Sequence, residues 1–124
     1  MLFQLGNFIL HSGYSSPFKI ECDALDDGDY AALAEIVANK FRFSTVVGVP
    51  TGGIKFAKAL SYHAIRTPSY PALIVDDVLT TGGSMGEAGL KYTSLYPRSS
   101  IIGVVIFARG KCPEWITPIF QMWS

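Results

Sequence analysis

Three runs in this sequence are apolar at consecutive positions rather than at alternate ones: TVVGV from Thr45 to Val49, ALIV from Ala72 to Val75, and SIIGVVIFA from Ser100 to Ala108. A strand with one face in water alternates apolar and polar residues, so uninterrupted runs of this length read as strands covered on both faces. Around them the spacing turns helical. Tyr30, Leu33, Ile36, Val37 and Phe41 recur at three- and four-residue steps and predict one buried helical stripe, with Asp26, Asp27 and Asp29 ahead of it as cap candidates. A second helix is expected after Gly52-Gly53, with Ile54, Ala57, Leu60 and Ile65 on one side, and a third from about Ser84 to Leu95. Buried strands alternating with amphipathic helices predict an α/β fold of three layers, a mostly parallel central sheet with helices on both faces. The crossover rule makes each βαβ unit right-handed, and ligands of such sheets bind beyond the carboxyl ends of the strands. Three loops fall at those ends: Pro50 to Gly53, Asp76 to Ser84, and Arg109 to Pro113.

At 124 residues, with no repeat, linker or low-complexity tract, residues 1–124 read as one minimal domain. Apolar residues make up 49% and charged ones 16%, which excludes disorder. Ten basic residues balance ten acidic ones, so neither nucleic acid nor an anionic membrane is an expected partner. Mean hydropathy is +0.31, yet the most apolar run, Ile101 to Ala108, is far shorter than the roughly 20 residues of a spanning helix. The surplus apolar surface is compatible with a homodimer. Cys22 and Cys112 lack metal or redox spacing and read as reduced packing residues. Met1 to Leu10 lacks the basic start and cleavage site of a signal peptide and reads as a strand or helix docked on the domain, so the expected compartment is the cytoplasm.

The segment LIVDDVLTTGGS, from Leu73 to Ser84, carries the chemistry. A buried strand delivers Asp76 and Asp77 to the sheet edge, and a loop of hydroxyls and glycines leads into a helix. Backbone N–H groups of such a turn, with the helix N-terminus behind them, form an anion cradle, and glycine permits close approach. Adjacent carboxylates would repel a phosphate. They suit sugar hydroxyls, or a hydrated Mg²⁺ held through its waters. The combination fits a phosphorylated ribose.

VDDVLTTGGS resembles the signature of type I phosphoribosyltransferases, which use 5-phosphoribosyl-1-pyrophosphate (PRPP). Two more segments support the resemblance. His11 to Pro17 (HSGYSSP) is similar to the SGxxSP segment of orotate phosphoribosyltransferases, and Val47 to Ile54 (VGVPTGGI) to the family's pyrophosphate loop. The resemblance implies that Asp76 and Asp77 serve catalysis at the ribose hydroxyls and hold Mg²⁺, the cofactor, through water. It further implies that Thr80, Thr81, Gly82, Gly83 and Ser84 wrap the 5′-phosphate, and that Thr51, Gly52 and Gly53 meet the pyrophosphate. Phe18, Lys19 and Arg109 would face the base. The chain departs from the orotate pattern at Tyr14 and Ser15, where a basic residue is usual. A larger departure is the connection Arg66 to Pro71, only six residues where the family inserts a lid loop and a strand pair.

The function implied is transfer of the 5-phosphoribosyl group from Mg–PRPP to a nitrogenous base with release of pyrophosphate. The alternative is a non-catalytic PRPP- or nucleotide-binding regulatory module, which the short connection keeps open. The short connection is expected to leave the diphosphate side open; Arg66 is its one cation, and Arg66→Ala is expected to lower PRPP affinity if the segment approaches the diphosphate. Other residues have local readings: His11 and His63 as polar surface groups, Glu87 as the partner of Ser84 in a capping box, and Lys55 near the diphosphate or in solvent. The tail from Cys112 to Trp123 reads as an edge strand with Trp115 capping the base site, or as a dimer contact.

Overall fold

The computed structural model describes residues 3–9, 15–20 and 24–121, the first two segments as backbone. His11, Tyr14, Cys22 and Trp123 lie outside the described residues. The elements in chain order are β1 (Phe3–Ile9), β2 (Ser15–Ile20), α1 (Asp27–Lys40), β3 (Thr45–Gly48), α2 (Ile54–Ser61), β4 (Ala72–Leu79), α3 (Gly83–Leu95), β5 (Ile101–Ala108) and β6 (Ile116–Gln121). β1 and β2 form an antiparallel pair of their own, and the remaining strands make a wholly parallel sheet in the order β3-β4-β5-β6.

Successive residues of a strand face opposite sides, and β4 uses both. Leu73 and Val75 pack with Val104 and Ile106 under α1 and α2, against Tyr30, Leu33, Val37, Phe56 and Leu60. Ile74 packs on the other side with Val105, Ile116 and Met85 of α3. The three layers expected from the unbroken apolar runs are therefore present. Burying Leu73, Ile74 and Val75 completely contributes roughly 1.5–3 kcal/mol per side chain.

Several expectations need correction. In α1 the buried stripe is Tyr30, Leu33, Ala34 and Val37, while Ile36 is 42% exposed. Two successive steps of three carry Ile36 about 120° round the helix from Tyr30 and out of the stripe, and Ala34 is too small to register as part of it. In α2 the buried pair is Phe56 and Leu60, one turn apart. Ile54 and Ile65 are exposed, and Ile65 lies past the helix end, its N–H donating to Phe43 O at 2.8 Å. The strand expected to end at Val75 runs to Leu79, so both aspartates lie within β4. α1 itself starts as read. Asp26 Oδ1 accepts from Asp29 N–H at 2.8 Å, and Asp29 Oδ2 accepts from Asp26 N–H at 3.0 Å.

One hand does not serve all the crossovers, against the handedness rule. α2 and α3 carry the chain one strand onward in the same direction but on opposite faces, so their crossovers have opposite hands. The crossover from β5 to β6 passes on the α3 face, where Trp115 packs, and shares the hand of α3. β3–α2–β4 is left as the odd unit. Two interactions hold it there: the buried stripe of α2 packs on α1, with Phe56 and Tyr30 ring centroids 6.4 Å apart, and residues 62–71 then cross beneath to reach β4.

Candidate functional site

The site grows from the carboxyl end of β4. Asp76 sits opposite Val105, and Val78 and Leu79 opposite Phe107 and Ala108. The two carboxylates fold back on the strand: Asp77 N–H donates to Asp76 Oδ1 at 2.8 Å, and Val78 N–H to Asp77 Oδ1 at 2.7 Å. Burial pushes the Asp76 carboxyl up to about 7, and hydrogen bonding with the Asp77 side chain pushes the same way. Near neutral pH this acid therefore stands ready to hold a proton or to give it up to a cation.

β3 delivers the second loop to the same place. Val49 N–H donates to Val75 O at 2.8 Å, and Gly53 N–H to Val49 O at 2.8 Å, folding Pro50–Gly53 over the end of β3 and beside the middle of β4. The Pro50–Thr51 peptide is cis. At Gly52 a Cβ would fall on the Asp77 carboxylate, so only glycine permits this approach. The Pro50–Gly53 loop and the acid pair are in direct contact.

The third loop, Thr80–Gly82, turns into α3 through Gly82 at φ +84°, a left-handed conformation that glycine adopts without steric cost. Thr80, Thr81, Gly83 and Ser84 are exposed, and Thr81 Oγ1 accepts weakly from Gly83 N–H at 3.4 Å. The capping box expected from Ser84 and Glu87 does not form. The N-cap is Gly82, and no side chain caps the helix. α2 begins in the same way, at Gly53, with no side-chain cap and no acid in its first turn. In α1, by contrast, Asp26 and Asp29 close the N-terminus. Two helices thus begin at a glycine N-cap, with the positive ends of their dipoles uncompensated by an acid in the first turn.

Arg109 follows β5 and is tied to this end of the sheet, its N–H donating to Leu79 O at 3.1 Å. Burial lowers the pKa of its guanidinium from the ordinary value. Gln121, which sequence reasoning passed over, donates from Nε2 to Gly110 O at 3.0 Å and anchors the loop after Arg109. No motif marks it; only the parallel pairing of β6 brings it there.

Other expected residues fall elsewhere. Phe18 and Lys19 lie on β2, opposite Leu5 and Gln4, and no described contact brings them to the acid pair. Lys55 lines a groove of about 350 Å³ with Asp27, Tyr30, Lys58, Tyr62 and His63. Trp115 is not a cap over the site. It lies under α3, in a slot that a Cβ at Gly103 or Gly89 would obstruct. Arg66–Pro71 lies at the amino end of the sheet, where Pro71 O accepts from Ser44 N–H ahead of β3. The condition that Arg66 approach the loops at the carboxyl end is not met.

The fold is shared with known proteins. The chain is 31% identical to an orotate phosphoribosyltransferase of Sulfurisphaera tokodaii over 115 residues, covering 70% of this chain and 58% of that protein. It is 29% identical to the orotate phosphoribosyltransferase of Pyrobaculum aerophilum, covering 88% and 70%. Among solved structures it superposes on the orotate phosphoribosyltransferase of Aeropyrum pernix with a TM-score of 0.71, at 22% identity, over 98% of this chain and 89% of that one. The chain is orotate-phosphoribosyltransferase-like, with the type I phosphoribosyltransferase fold. No family model matches it. A Mycobacterium tuberculosis orotate phosphoribosyltransferase, solved with inorganic phosphate, superposes with a TM-score of 0.67 at 16% identity over 95% of this chain and 87% of that one. The orotate-phosphoribosyltransferase-like chain spans less than two thirds of the length of the Sulfurisphaera relative. Of the described residues, no helix is long and apolar enough to cross a membrane.

Proposed function

We propose that the chain binds PRPP and transfers its 5-phosphoribosyl group to a nitrogenous base, releasing pyrophosphate. One observation carries this reading: Gly52 abuts Asp77 between the uncapped starts of α2 and α3. The substrate has the same order of charges, with a diphosphate and a monophosphate at opposite ends of a sugar diol. In this reading Thr51, Gly52 and Gly53 meet the diphosphate, and Thr80, Thr81, Gly82, Gly83 and Ser84 take the 5′-phosphate. Asp76 and Asp77 accept from the ribose hydroxyls, and Arg109 flanks the base. Displacement at C1 needs the leaving diphosphate stabilised and the nucleophile placed, and in this reading the backbone N–H groups at the start of α2 supply the first.

Among the described residues no group of three or more His, Cys, Asp or Glu could hold a metal ion by itself. Two half-buried carboxylates suit a Mg²⁺ that keeps its waters and is completed by substrate oxygens. Asp76 and Asp77 would hold it, and it would supply positive charge to the departing diphosphate. The alternative, a PRPP- or nucleotide-binding module without turnover, draws on the position of Arg66–Pro71, which offers no cover to the site. The deciding experiment is pyrophosphate release from PRPP and Mg²⁺ across a panel of bases with orotate first, alongside calorimetric binding of PRPP. Release with one base supports transfer, heat without release supports the binding module, and neither sinks both.

A further inference from the structure

β3 has the composition of an interior strand and the position of an edge strand. Of the described strands only β4 pairs with it. Each residue of Thr45–Gly48 is half-exposed, whereas the facing Ala72–Val75 is wholly buried. Val46 packs into the core beneath α1 and α2, and Val47 into the core beneath α3, so both of its faces are apolar. The register Val46↔Leu73, with Val49 N–H donating to Val75 O, turns Thr45 and Val47 toward β4. The N–H and C=O groups of Val46 and Gly48 then project from the outer edge, and no described group bonds to them. Natural sheets blunt such an edge with lysine, proline, a bulge or an inward charge. Thr45–Gly48 has none of these, and Phe43, Ser44 and Val49 beside it are uncharged as well.

We propose that this edge pairs with the same edge of a second copy of the chain, antiparallel about a two-fold axis, giving one sheet through both protomers. The charge pattern favours a second copy over a different partner. A two-fold axis sets residue i of one copy against residue j of the other and j against i, so any charge on a short self-pairing edge is present twice within a few residues of the axis, and Phe43–Val49 carries none. The net charge of zero leaves the two copies without long-range repulsion. Two identical strands related this way run antiparallel, so the outward N–H and C=O groups of Val46 and Gly48 meet their complements. Val46 and Val47 would at the same time extend both apolar layers across the axis. The ladder is short, and the dimer should be of the weak, concentration-dependent kind.

The test is sedimentation velocity on the full chain over a wide concentration range, with no PRPP present, so its outcome is independent of the proposed activity. The parent should move from 13.5 kDa toward twice that mass as concentration rises. Val46→Pro removes an outward donor, which edge strands tolerate. Thr45→Lys places like charges across the axis while leaving both cores intact. Each should raise the dissociation constant about tenfold or more. Leu90→Glu, on the exposed side of α3, should not change it. Hydrogen exchange of the parent gives a reading that needs no variant: the Val46 and Gly48 amides should be protected at high concentration and exchange freely on dilution. A parent that stays monomeric overturns the proposal. So does a dimer that Leu90→Glu dissociates and Thr45→Lys does not, or one whose Val46 and Gly48 amides exchange equally at all concentrations.

Discussion

A single methyl group tests the contact on which the site depends. Gly52→Ala sets a Cβ against the Asp77 carboxylate, and the loop must shift to admit it. Overpacking of this sort costs about 1–3 kcal/mol, so the variant should melt lower than the parent. It should also bind PRPP at least several-fold more weakly in a calorimetric titration; unchanged affinity would separate the loop from the ligand. Asp76 makes a pH-dependent prediction. Its carboxyl titrates at 3.8 when unperturbed and at about 7 in the fold, so between those values the folded state binds the extra proton. Stability of the ligand-free protein should therefore fall as pH rises from about 4 to about 7, as linkage requires. Asp76→Asn removes this dependence. At pH 8 it should be the more stable protein by on the order of 1–2 kcal/mol once solvent screening is allowed for, measured as a higher urea midpoint. A parent whose midpoint is flat over that range would contradict the assignment.

At the scale of elements, the three helix starts separate structural from functional caps. Asp26→Ala dismantles the box that closes α1 and should cost about 1 kcal/mol in denaturant unfolding, with PRPP affinity unchanged. Gly82→Ala should cost a similar 1–2 kcal/mol, because φ +84° is left-handed, but here the turn into α3 is displaced and PRPP affinity should fall with it. The same elements show what could be read in advance. The layers were legible because residues apolar on both sides of a strand have no other place to go, and the acid pair and glycine loops were legible because their chemistry is local. Ser84 and Glu87 have capping-box spacing, but Gly82 starts the helix two residues earlier, and spacing alone carries no register. Trp115 was misplaced for a different reason. Its slot is made by the absence of side chains at Gly89 and Gly103, on two other elements, and no local pattern announces a void. The extension of β4 through Asp76 and Asp77 was missed because charge within a strand argues against burial until the neighbouring Val105 and Phe107 are known.

Across the whole molecule, the two ends of the sheet divide the labour. Every described residue of the candidate site belongs to the carboxyl end, and Arg66–Pro71 belongs to the other. Arg66→Ala should therefore leave PRPP affinity unchanged within calorimetric error, and a loss of several-fold would require the chain to place this segment quite differently. The order β3-β4-β5-β6 has a further consequence for how the protein is made. Each strand lies beside the one synthesised just before it, and no later segment has to be inserted between two strands already paired. Loop-closure entropy grows with the separation of the segments brought together, so nearest-neighbour addition keeps each increment small. As the chain leaves the ribosome, β4 can dock on β3 once α2 has formed, and β5 on β4 after α3. β6 closes the far margin last. The turn at Thr80–Gly82 is thus bracketed by paired strands before β6 has been translated.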